Sequence, residues 1–415
     1  MFGPYLLPFT YGEAQRSMTD FQSFVPQPTT FPSARIEAFL NTCKTSTPFV
    51  VVDIDIVEFQ YRELCRVLPN VDHHYAVKAN PAVPILQRLH SLGCSFDIAS
   101  RAELNECLSI GVDPENISYG NTIKKSSDIS FALAKGVRRF TVDSSEELNK
   151  IFAAAQLHQP EPIPAKELTI TIRLLHAGSG ADWPLSKKFG TSQAQCTELM
   201  KIAHQHECPA GVAFHVGSQQ RDIHAWDSAL ETVASINSNL LRHGSILDHI
   251  NLGGGFPGHY QEEIPSIDDY GATIMHSLEK FFGMHRPKIF AEPGRYLVAD
   301  AGVLRSSVVL VSQREIDPRR WVFIDCGRFH GLVETFDEAI HFRLRTNATG
   351  QPIPSVLAGP TCDSIDVMYE QNPVDLPDNL VEGDSIDFLA AGAYTAPCSS
   401  VGFNGMPPLN EIFLD

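Results

Sequence analysis

From about residue 48 to residue 293, short apolar runs alternate with amphipathic segments. Eight runs are typical of β-strands: HHYAVK (73–78), CSFDIA (94–99), NISYG (116–120), RRFTV (138–142), LTITIRLL (168–175), GVAFHV (211–216), HINLGG (249–254) and KIFAE (288–292). Between them apolar residues recur at helical spacing, and SRAE (100–103) and SSEE (144–147) have the Ser-x-x-Glu form of a helix-capping box. Strands that alternate with helices predict an α/β fold with a parallel sheet, and eight such units can close into a (β/α)8 barrel.

After about residue 295 the pattern changes to strand-like runs without intervening helices. These runs are GVLRSSVVLVSQREI, RRWVFIDCG, IHFRLRT, PSVLAG and DSIDFLAAGAYT, and turn residues such as Gly, Pro and Asp separate them. We therefore predict a TIM-like barrel over residues 48–293 and a second, all-β domain over residues 294–415. Residues 1–47 are rich in Pro and Thr, have no repeating unit, and are predicted to contribute to the β domain.

Composition and charge narrow the class of protein. A length of 415 residues with 43% apolar residues fits a globular protein of two domains. The formal net charge of -17 argues against nucleic acid or an anionic membrane as a partner and suits a small cationic ligand. Nine cysteines at irregular spacings indicate reduced thiols, and the first residues, broken by Pro4 and Pro8, lack the basic start of a signal peptide. A cytoplasmic protein is therefore expected, and no metal site is predicted.

Polar side chains gather where several of the predicted strands end. In chain order they are Lys78, Asp97, Arg173, His215 and Glu292, from the first, second, fifth, sixth and eighth runs. In a barrel of this kind, the carboxyl ends of the strands and the loops that follow them carry the chemistry. We therefore expect these side chains to meet at one rim. A lysine is rarely buried without a partner, so the rim must supply one for Lys78.

Two further features of this rim indicate an anionic ligand. Gly253, Gly254 and Gly255 end the seventh run, and glycine lets backbone N–H groups approach a phosphate closely. Arg295, in EPGRY, could clamp the same phosphate. A lysine with a lowered pKa is a nucleophile, and condensation with an aldehyde removes its charge. A Schiff base with pyridoxal phosphate would therefore turn the costly charge of Lys78 into a covalent anchor.

Longer motifs support the same cofactor. In order along the chain they are YAVKAN, FDIASRAEL, HVGSQ, NLGGGFPG, EPGRYLVADAG, GPTCDSIDV and GAYT followed by FNG. From about residue 48 to residue 405 they resemble, in order and spacing, the barrel-type pyridoxal-phosphate decarboxylases of ornithine, lysine, arginine and diaminopimelate. This family has the alanine racemase type of fold. Several long motifs in one order are far more specific than any single pattern.

The resemblance implies a role for each matching residue near the cofactor. Lys78 matches the Schiff-base lysine, Glu292 the glutamate that pairs with the pyridinium nitrogen, and His215 the histidine that stacks on the cofactor ring. Asp97 and Arg173 match positions beside the cofactor. The phosphate contacts that the resemblance implies come from Ser218, Gly253, Gly254, Gly255, Arg295 and Tyr394.

The same resemblance implies an active site shared between two subunits. Cys362 matches the cysteine that returns a proton to Cα, which in the resembling enzymes comes from the other subunit of a homodimer. Recognition of the distal amine falls on Phe336 and Asp337 in LVETFDEAI and on Asp363 beside the cysteine. Phe403, in FNG, also matches a substrate-binding position. Two carboxylates in a closed site favour a cationic tail, so the implied reactions convert L-ornithine to putrescine or L-lysine to cadaverine.

Some alternatives stay open. One methylene separates ornithine from lysine, which a pocket discriminates by only ~1–3 kcal/mol. The resemblance of DEAI and GFNGMPPL to bacterial enzymes favours ornithine. Glu338 is either a third acid beside Asp337 or part of a solvated turn, and Glu103 either lies near the cofactor or caps a helix. Two other readings are a diaminopimelate decarboxylase, which typically has Glu-Ser in place of Asp363 and Ser364, and a non-catalytic relative that binds a regulatory partner. The CDS motif argues against an alanine racemase.

Overall fold

Two large sheets and a small two-stranded one organise the chain in a computed structural model that describes residues 32–183, 188–283 and 286–415. In these ranges the helices are α1 (Ala34–Thr42), α2 (Ile54–Val67), α3 (Val83–Ser91), α4 (Arg101–Ser109), α5 (Ser126–Ala134), α6 (Ser145–Gln156), α7 (Gln193–Gln205), α8 (Ala225–Arg242), α9 (Ile267–Phe282) and α10 (Arg295–Val298). The strands up to the end of the first sheet are β1 (Phe49–Asp53), β2 (Val71–Ala76), β3 (Ser95–Ile98), β4 (Ile117–Tyr119), β5 (Arg139–Val142), β6 (Thr169–Arg173), β7 (Ala181–Trp183), β8 (Ala210–Ala213), β9 (Ser218–Gln220), β10 (His249–Asn251) and β11 (Lys288–Ala291). The later strands are β12 (Gly302–Arg314), β13 (Asp317–Ile324), β14 (Leu344–Thr346), β15 (Pro352–Ala358), β16 (Val367–Met368), β17 (Val374–Pro377), β18 (Ser385–Leu389) and β19 (Asn410–Leu414).

The first sheet is the predicted barrel. Eight parallel strands follow each other in the order β2, β3, β4, β5, β6, β8, β10 and β11, and β11 pairs with β2 to close the circle. The prediction of a (β/α)8 barrel is therefore confirmed. The strands are shorter than the apolar runs, since β8 ends at Ala213 and β11 at Ala291. His215 and Glu292 consequently lie in the loops just beyond their strands.

Sequence periodicity explains how strands and helices pack around this barrel. In β6, Ile170 and Ile172 are fully buried on one face, while Thr171 between them contacts the Nε2 atom of His249 through its Oγ1 atom at 2.8 Å. Alternate residues of a strand point to opposite faces, so this polar contact lies inside the barrel and the isoleucines pack against the surrounding helices. The barrel interior is thus partly polar.

The serine half of each predicted capping box is confirmed. Ser100 Oγ accepts a hydrogen bond from the N–H of Glu103, and Ser144 Oγ accepts one from the N–H of Glu147. The glutamate half differs, because the Glu147 carboxylate pairs with the buried ammonium of Lys124 at 3.2 Å instead of returning to the helix start. Burial lowers the pKa of Lys124 to about 8, although Glu147 opposes this shift.

The second sheet has nine strands, β1 and β12 to β19. Its strand β1 pairs antiparallel with β12 and parallel with β19, so the predicted domain boundary at residue 48 is wrong for this strand. The run FVVVD has the apolar character of a barrel strand, and only its long-range pairing shows which sheet it joins. Helix α1 packs Ile36 and Leu40 against this sheet, which supports the predicted contribution of residues 32–47; residues 1–31 of that prediction lie outside the described residues.

All nine cysteines are unpaired. Most of them are buried or half-buried, and the two exposed thiols are Cys362 and Cys398. Over the described ranges, no helix is both long enough and apolar enough to span a bilayer.

Candidate active site

Lys78 lies in a 3-10 turn, Val77–Ala79, directly after β2. Its Nζ atom is 3.6 Å from Oδ2 of Asp97, and its side chain is 47% exposed because it faces the open end of the barrel. Lys78 is therefore not the buried strand residue that the sequence predicted. Burial on its other sides lowers the pKa of Lys78, but Asp97 and the carboxylates of Glu292 and Glu103 together raise it above its ordinary value. A nucleophilic lysine needs a lowered pKa, and in the protein by itself the acids around Lys78 oppose that lowering.

Asp97 is the buried partner that the lysine requires. Its Oδ1 atom is buried and has no hydrogen-bond partner among the described residues. Burial and repulsion from Glu292 raise the pKa of Asp97 well above its usual value, and Lys78 opposes this shift. Gly120 makes room for this carboxylate, since a Cβ atom at that position would lie 2.0 Å from Oδ1. Nothing in the sequence pattern distinguishes this glycine from the others.

Glu292 is oriented by a residue that the sequence analysis missed. Asn251, the last residue of β10, donates a hydrogen bond of 2.5 Å from Nδ2 to the carboxylate of Glu292. The amide oxygen of Asn251 accepts the N–H of Gly253 at 2.9 Å, so both ends of this side chain are fixed. Asn251 therefore links the glutamate to the start of the glycine turn. Its place directly before LGGG is the only signal that could have identified it.

His215 is a neutral imidazole beside the lysine. Its Nδ1 atom accepts the N–H of Gly217 at 3.0 Å, so the ring hydrogen lies on Nε2. Burial lowers the pKa of His215 well below its usual value, and the charges of Arg173 and Lys78 lower it further. Arg173, the last residue of β6, has its guanidinium 5.4 Å from the ring centre of Phe189. A neutral aromatic ring with an adjacent cation can pack against an electron-poor cofactor ring.

The glycine turn has the geometry of an anion site. Gly253 and Gly255 have φ angles of +67° and +108°, and a Cβ atom at Gly253 would lie 2.1 Å from a backbone oxygen of Phe214. A Cβ atom at Gly254 would come 3.3 Å from Nε2 of His215. Within the described part of the chain, no protein acceptor binds the N–H of Gly254 or Gly255. Two backbone donors are therefore available to an anion such as phosphate.

Arg295 begins α10 and is almost completely buried. It donates to Ser218 Oγ from Nε and Nη2 at 3.2 and 3.0 Å, and to the hydroxyl of Tyr260 from Nη1 at 2.7 Å. Nη1 and Nη2 also donate to the carboxylate of Glu334 at 2.8 and 2.5 Å. All five N–H groups of the guanidinium thus have protein acceptors. The contact of Arg295 with phosphate stays a prediction. The phosphate would have to share the Nε and Nη2 hydrogens that Ser218 Oγ accepts.

Two other predicted positions lie close to this rim. Tyr394 has its ring centre 4.7 Å from the guanidinium carbon of Arg295 and a φ angle of 56°. Glu103 accepts the N–H of Ala99 at 2.5 Å, and burial raises its pKa. Its backbone belongs to the helix start, while its carboxylate contributes to the acidic surroundings of Lys78. Both alternatives for Glu103 are therefore partly right.

The predicted proton donor and one tail-binding acid lie on an exposed face of the β domain. Cys362 exchanges hydrogen bonds with Asn404, whose Oδ1 accepts the cysteine N–H at 3.0 Å and whose Nδ2 lies 3.3 Å from Sγ. Asp363 Oδ1 accepts the N–H of Ile365 at 3.1 Å. Phe403 packs on Phe329 with ring centres 4.7 Å apart. Among the described residues, no hydrogen bond or ion pair joins this face to Lys78 within one chain.

The other tail-binding candidates lie in a kinked 3-10 segment, Val333–Glu338. The ring of Phe336 lies under the guanidinium of Arg328 at 4.5 Å, and Asp337 is exposed. Glu338 accepts the backbone N–H of Gln371 at 2.7 Å and the side-chain amide of Asn372 at 2.7 Å. Glu338 is therefore fixed to a neighbouring loop, which is neither the third substrate acid nor the solvated turn that the sequence suggested.

The residues at the rim fit pyridoxal phosphate. They offer an amine, a carboxylate oriented by an asparagine, a neutral imidazole and a turn with two available backbone donors. Asp97 adds a buried carboxylate with one oxygen 3.6 Å from the amine and the other without a hydrogen-bond partner among the described residues. Together with the barrel and the β domain, these residues define the class of protein: a pyridoxal-phosphate enzyme with the alanine racemase type of fold.

Comparison with known proteins gives the family. Residues 54–299 match the pyridoxal-binding domain of the pyridoxal-dependent decarboxylases. A probable ornithine decarboxylase of Dictyostelium discoideum is 33% identical over 87% of this chain and 78% of its own length. A crystal structure of a lysine/ornithine decarboxylase from Vibrio vulnificus, complexed with cadaverine, superposes with a TM-score of 0.80 at 32% identity, covering 92% of this chain and 98% of that one. An antizyme inhibitor 2 of Xenopus laevis is 31% identical over 86% of this chain and 78% of its own length.

The chain therefore belongs to the pyridoxal-dependent decarboxylase family, and its cofactor is pyridoxal phosphate. The predicted recognition, fold class and enzyme class are confirmed by this membership. The residue roles that the resemblance implied remain predictions.

Proposed function

We propose that the protein decarboxylates a basic L-amino acid, with L-ornithine converted to putrescine as the main reaction and L-lysine converted to cadaverine as a second one. The observation that carries this proposal is the pair of acids assigned to the substrate tail, Asp337 and Asp363, in a chain that keeps every residue expected at the cofactor. The crystal structure of the Vibrio vulnificus relative with bound cadaverine supports a diamine-binding site in this fold.

Each residue at the rim has a separate role in decarboxylation. Bound pyridoxal phosphate supplies an electron sink for the electron pair of the broken bond between Cα and the carboxylate. Lys78 supplies the amine that holds the cofactor aldehyde, and Glu292, oriented by Asn251, holds a proton at the pyridine nitrogen. His215 presents a neutral ring to the face of the cofactor, and the glycine turn binds its phosphate.

We further infer that Cys362 returns the proton to Cα from a second copy of the chain. Cys362 is exposed and lies on a face with three exposed apolar side chains, Ile365 (47%), Val401 (85%) and Phe403 (37%). An apolar patch around a reactive thiol is typical of a surface that another subunit covers. Asn404 fixes the direction of the thiol on this face. The complete site therefore contains Lys78 from one subunit and Cys362 from the other.

The proposal is tested by turnover of purified, cofactor-loaded protein. We expect kcat/KM to be highest for L-ornithine, lower for L-lysine, and lowest for L-arginine, meso-diaminopimelate and D-ornithine. The variant Asp337→Asn should raise KM for ornithine more than it lowers kcat, because it removes one partner of the distal ammonium. Preferred turnover of diaminopimelate would contradict the assignment of Asp337 and Asp363, and no turnover with full cofactor loading would favour a non-catalytic binding protein.

A further inference from the structure

The buried pair between Arg295 and Glu334 joins the arginine of the cofactor site to the segment Val333–Glu338. The carboxylate accepts two hydrogen bonds from the guanidinium, at 2.5 and 2.8 Å, and the two side chains are only 3% and 12% exposed. Burial lowers the pKa of Arg295, but Glu334 outweighs this effect and raises it well above its usual value. Bidentate pairs of this kind fix the relative orientation of the two groups. Glu334 is therefore held by the arginine of the cofactor site.

The residues that follow Glu334 need such an anchor. Asp337 and Glu338 both have left-handed backbone conformations, with φ angles of 52° and 54°. Residues other than glycine adopt this conformation at a cost, and two in succession persist only where the surroundings hold them. Glu338 is held by the N–H groups of Gln371 and Asn372 at 2.7 and 3.2 Å. Asp337 therefore lies between two fixed carboxylates, Glu334 on one side and Glu338 on the other.

A third contact holds Phe336 but leaves Asp337 to these two anchors. Arg328 donates from Nη2 to the backbone oxygen of Thr335 at 3.1 Å and lies 4.5 Å above the ring of Phe336. Thr335 Oγ1 donates to the backbone oxygen of Leu332 at 2.6 Å. None of these contacts reaches the barrel. Glu334 is the residue of this segment that joins it to a side chain of the cofactor site.

We propose that Glu334 is a positioning residue that ties the segment Val333–Glu338 to Arg295 and thereby sets the place of Asp337 for the distal ammonium of the substrate. This inference deepens the proposed function and rests on it, because it takes Asp337 as the acid that reads the tail. Glu334 itself does not contact the substrate. Because Arg295 holds the carboxylate of Glu334, the backbone that follows is fixed. The carboxylate of Asp337, three residues later, therefore has a defined position.

The test compares a diamine with a monoamine of equal length. Putrescine and n-butylamine are titrated into cofactor-loaded protein, and binding is followed by the absorbance of the bound cofactor and by calorimetry. In the variant Glu334→Gln, one acceptor oxygen becomes an amide that faces the guanidinium, so the segment is released. We expect putrescine to bind about tenfold more weakly while n-butylamine binds as it does in the parent protein, because only the diamine has a distal charge to lose.

A matched control removes a similar pair elsewhere in the β domain. Asp387 is buried and accepts two hydrogen bonds from Arg305, at 2.7 and 2.9 Å, and one from Arg345 at 3.0 Å. Asp387→Asn should lower the melting temperature, as Glu334→Gln should, because each leaves an arginine short of an acceptor. Only Glu334→Gln should change the ratio of the two affinities. Equal loading with cofactor is verified in each variant by absorbance.

Three outcomes decide the matter. A putrescine to n-butylamine ratio in Glu334→Gln equal to that of the parent overturns the role of Glu334 while leaving the proposed function intact. If Glu334→Gln does not fold, Glu334→Asp keeps the charge one methylene further away and should give an intermediate ratio; an unchanged ratio there overturns the role as well. If the parent protein itself does not prefer putrescine to n-butylamine, the proposed reading of a cationic tail fails, and the role of Glu334 fails with it.

Discussion

Asn251 donates a hydrogen bond of 2.5 Å to Glu292, and this contact joins the end of one barrel strand to the loop after the next. The asparagine cannot rotate freely, because its oxygen also accepts the N–H of Gly253. Glu292 is thus held in one orientation by the same side chain that shapes the start of the glycine turn. The carboxylate assigned to the pyridine nitrogen and the turn assigned to the phosphate are mechanically connected.

This connection predicts the effect of replacing Asn251. Asn251→Ala should lower kcat about tenfold at saturating cofactor, because Glu292 loses the hydrogen bond that orients it. Asn251→Asp should lower kcat further, since two carboxylates at this distance cannot both stay ionised. Steady-state kinetics with ornithine, together with thermal melting to verify folding, measure both effects. A higher kcat in Asn251→Asp than in Asn251→Ala would contradict the proposed role of the amide.

The assignment of Lys78 predicts a spectroscopic change. Lys78→Ala should abolish both the absorbance of covalently held cofactor and turnover, because an alanine side chain offers no amine to the cofactor aldehyde. Lys78→Arg is the matched control: it keeps a positive charge beside Asp97 but cannot hold the aldehyde. Both variants should lack the absorbance, while Lys78→Arg should melt closer to the parent protein. Retention of the absorbance in either variant would refute the anchor.

The observed position of the Asp97 carboxylate is predicted to require glycine at residue 120. A Cβ atom at residue 120 would lie 2.0 Å from Oδ1 of Asp97, so Gly120→Ala should destabilise the fold by about 1–3 kcal/mol and displace the carboxylate from Lys78. In the double variant with Asp97→Ala the clash is absent, so the added cost of Gly120→Ala should largely disappear. Denaturant unfolding of the four proteins measures this coupling. Additive losses would show that Gly120 acts independently of Asp97.

The pair between His259 and Asp300 predicts a dependence of stability on pH. A hydrogen bond of 2.7 Å to Asp300 raises the pKa of His259 above its usual value of 6.5, although burial opposes the shift. A group whose pKa is raised on folding contributes stability that is complete below its unfolded pKa and is lost as the pH rises through the folded pKa. The melting temperature of the parent should therefore exceed that of His259→Gln most clearly near pH 5 to 6, and the difference should shrink at alkaline pH. A difference that grows with pH would contradict this sign.

The shared site predicts complementation between two inactive variants. Lys78→Ala and Cys362→Ala each spoil both sites of a homodimer, but a mixed dimer contains one site with both residues intact. Equal amounts that exchange subunits freely should regain about a quarter of the parent activity, since half of the dimers are mixed and each has one of two sites. Activity of the mixture is compared with that of each variant alone. If no activity returns although sedimentation shows mixed dimers, Cys362 does not act across the interface.

The barrel could be predicted from the sequence because local patterns determine its strands and helices. Eight apolar runs with helical segments between them predicted eight strands, and long motifs placed Lys78, Asp97, His215 and Glu292 at one rim. Residues 49–53 were included in the barrel domain although β1 pairs in the second sheet, because strand pairing over hundreds of residues leaves no trace in a local pattern. Strand ends were also placed too late, because apolar residues continue beyond the last hydrogen bond between neighbouring strands.

Sequence reasoning missed residues whose role depends on a contact with a residue far along the chain. None of the motifs assigned a role to Gly120, Asn251 or Glu334, although NLGGGFPG begins with Asn251 and LVETFDEAI contains Glu334. Each matters because of a contact with a residue far along the chain: Asp97, Glu292 or Arg295. The sequence also did not indicate that the pKa of Lys78 is raised, because only the fold shows how close the surrounding acids lie.

The most direct measurement follows the carboxyl carbon of L-ornithine. Purified protein loaded with pyridoxal phosphate is supplied with ornithine labelled with carbon-13 at the carboxyl group, and labelled carbon dioxide and putrescine are quantified together. We predict equal amounts of both products from the parent protein and neither from Lys78→Ala. Intact ornithine after prolonged incubation of fully loaded protein, or release of carbon dioxide without an equal amount of putrescine, would contradict the proposed decarboxylation.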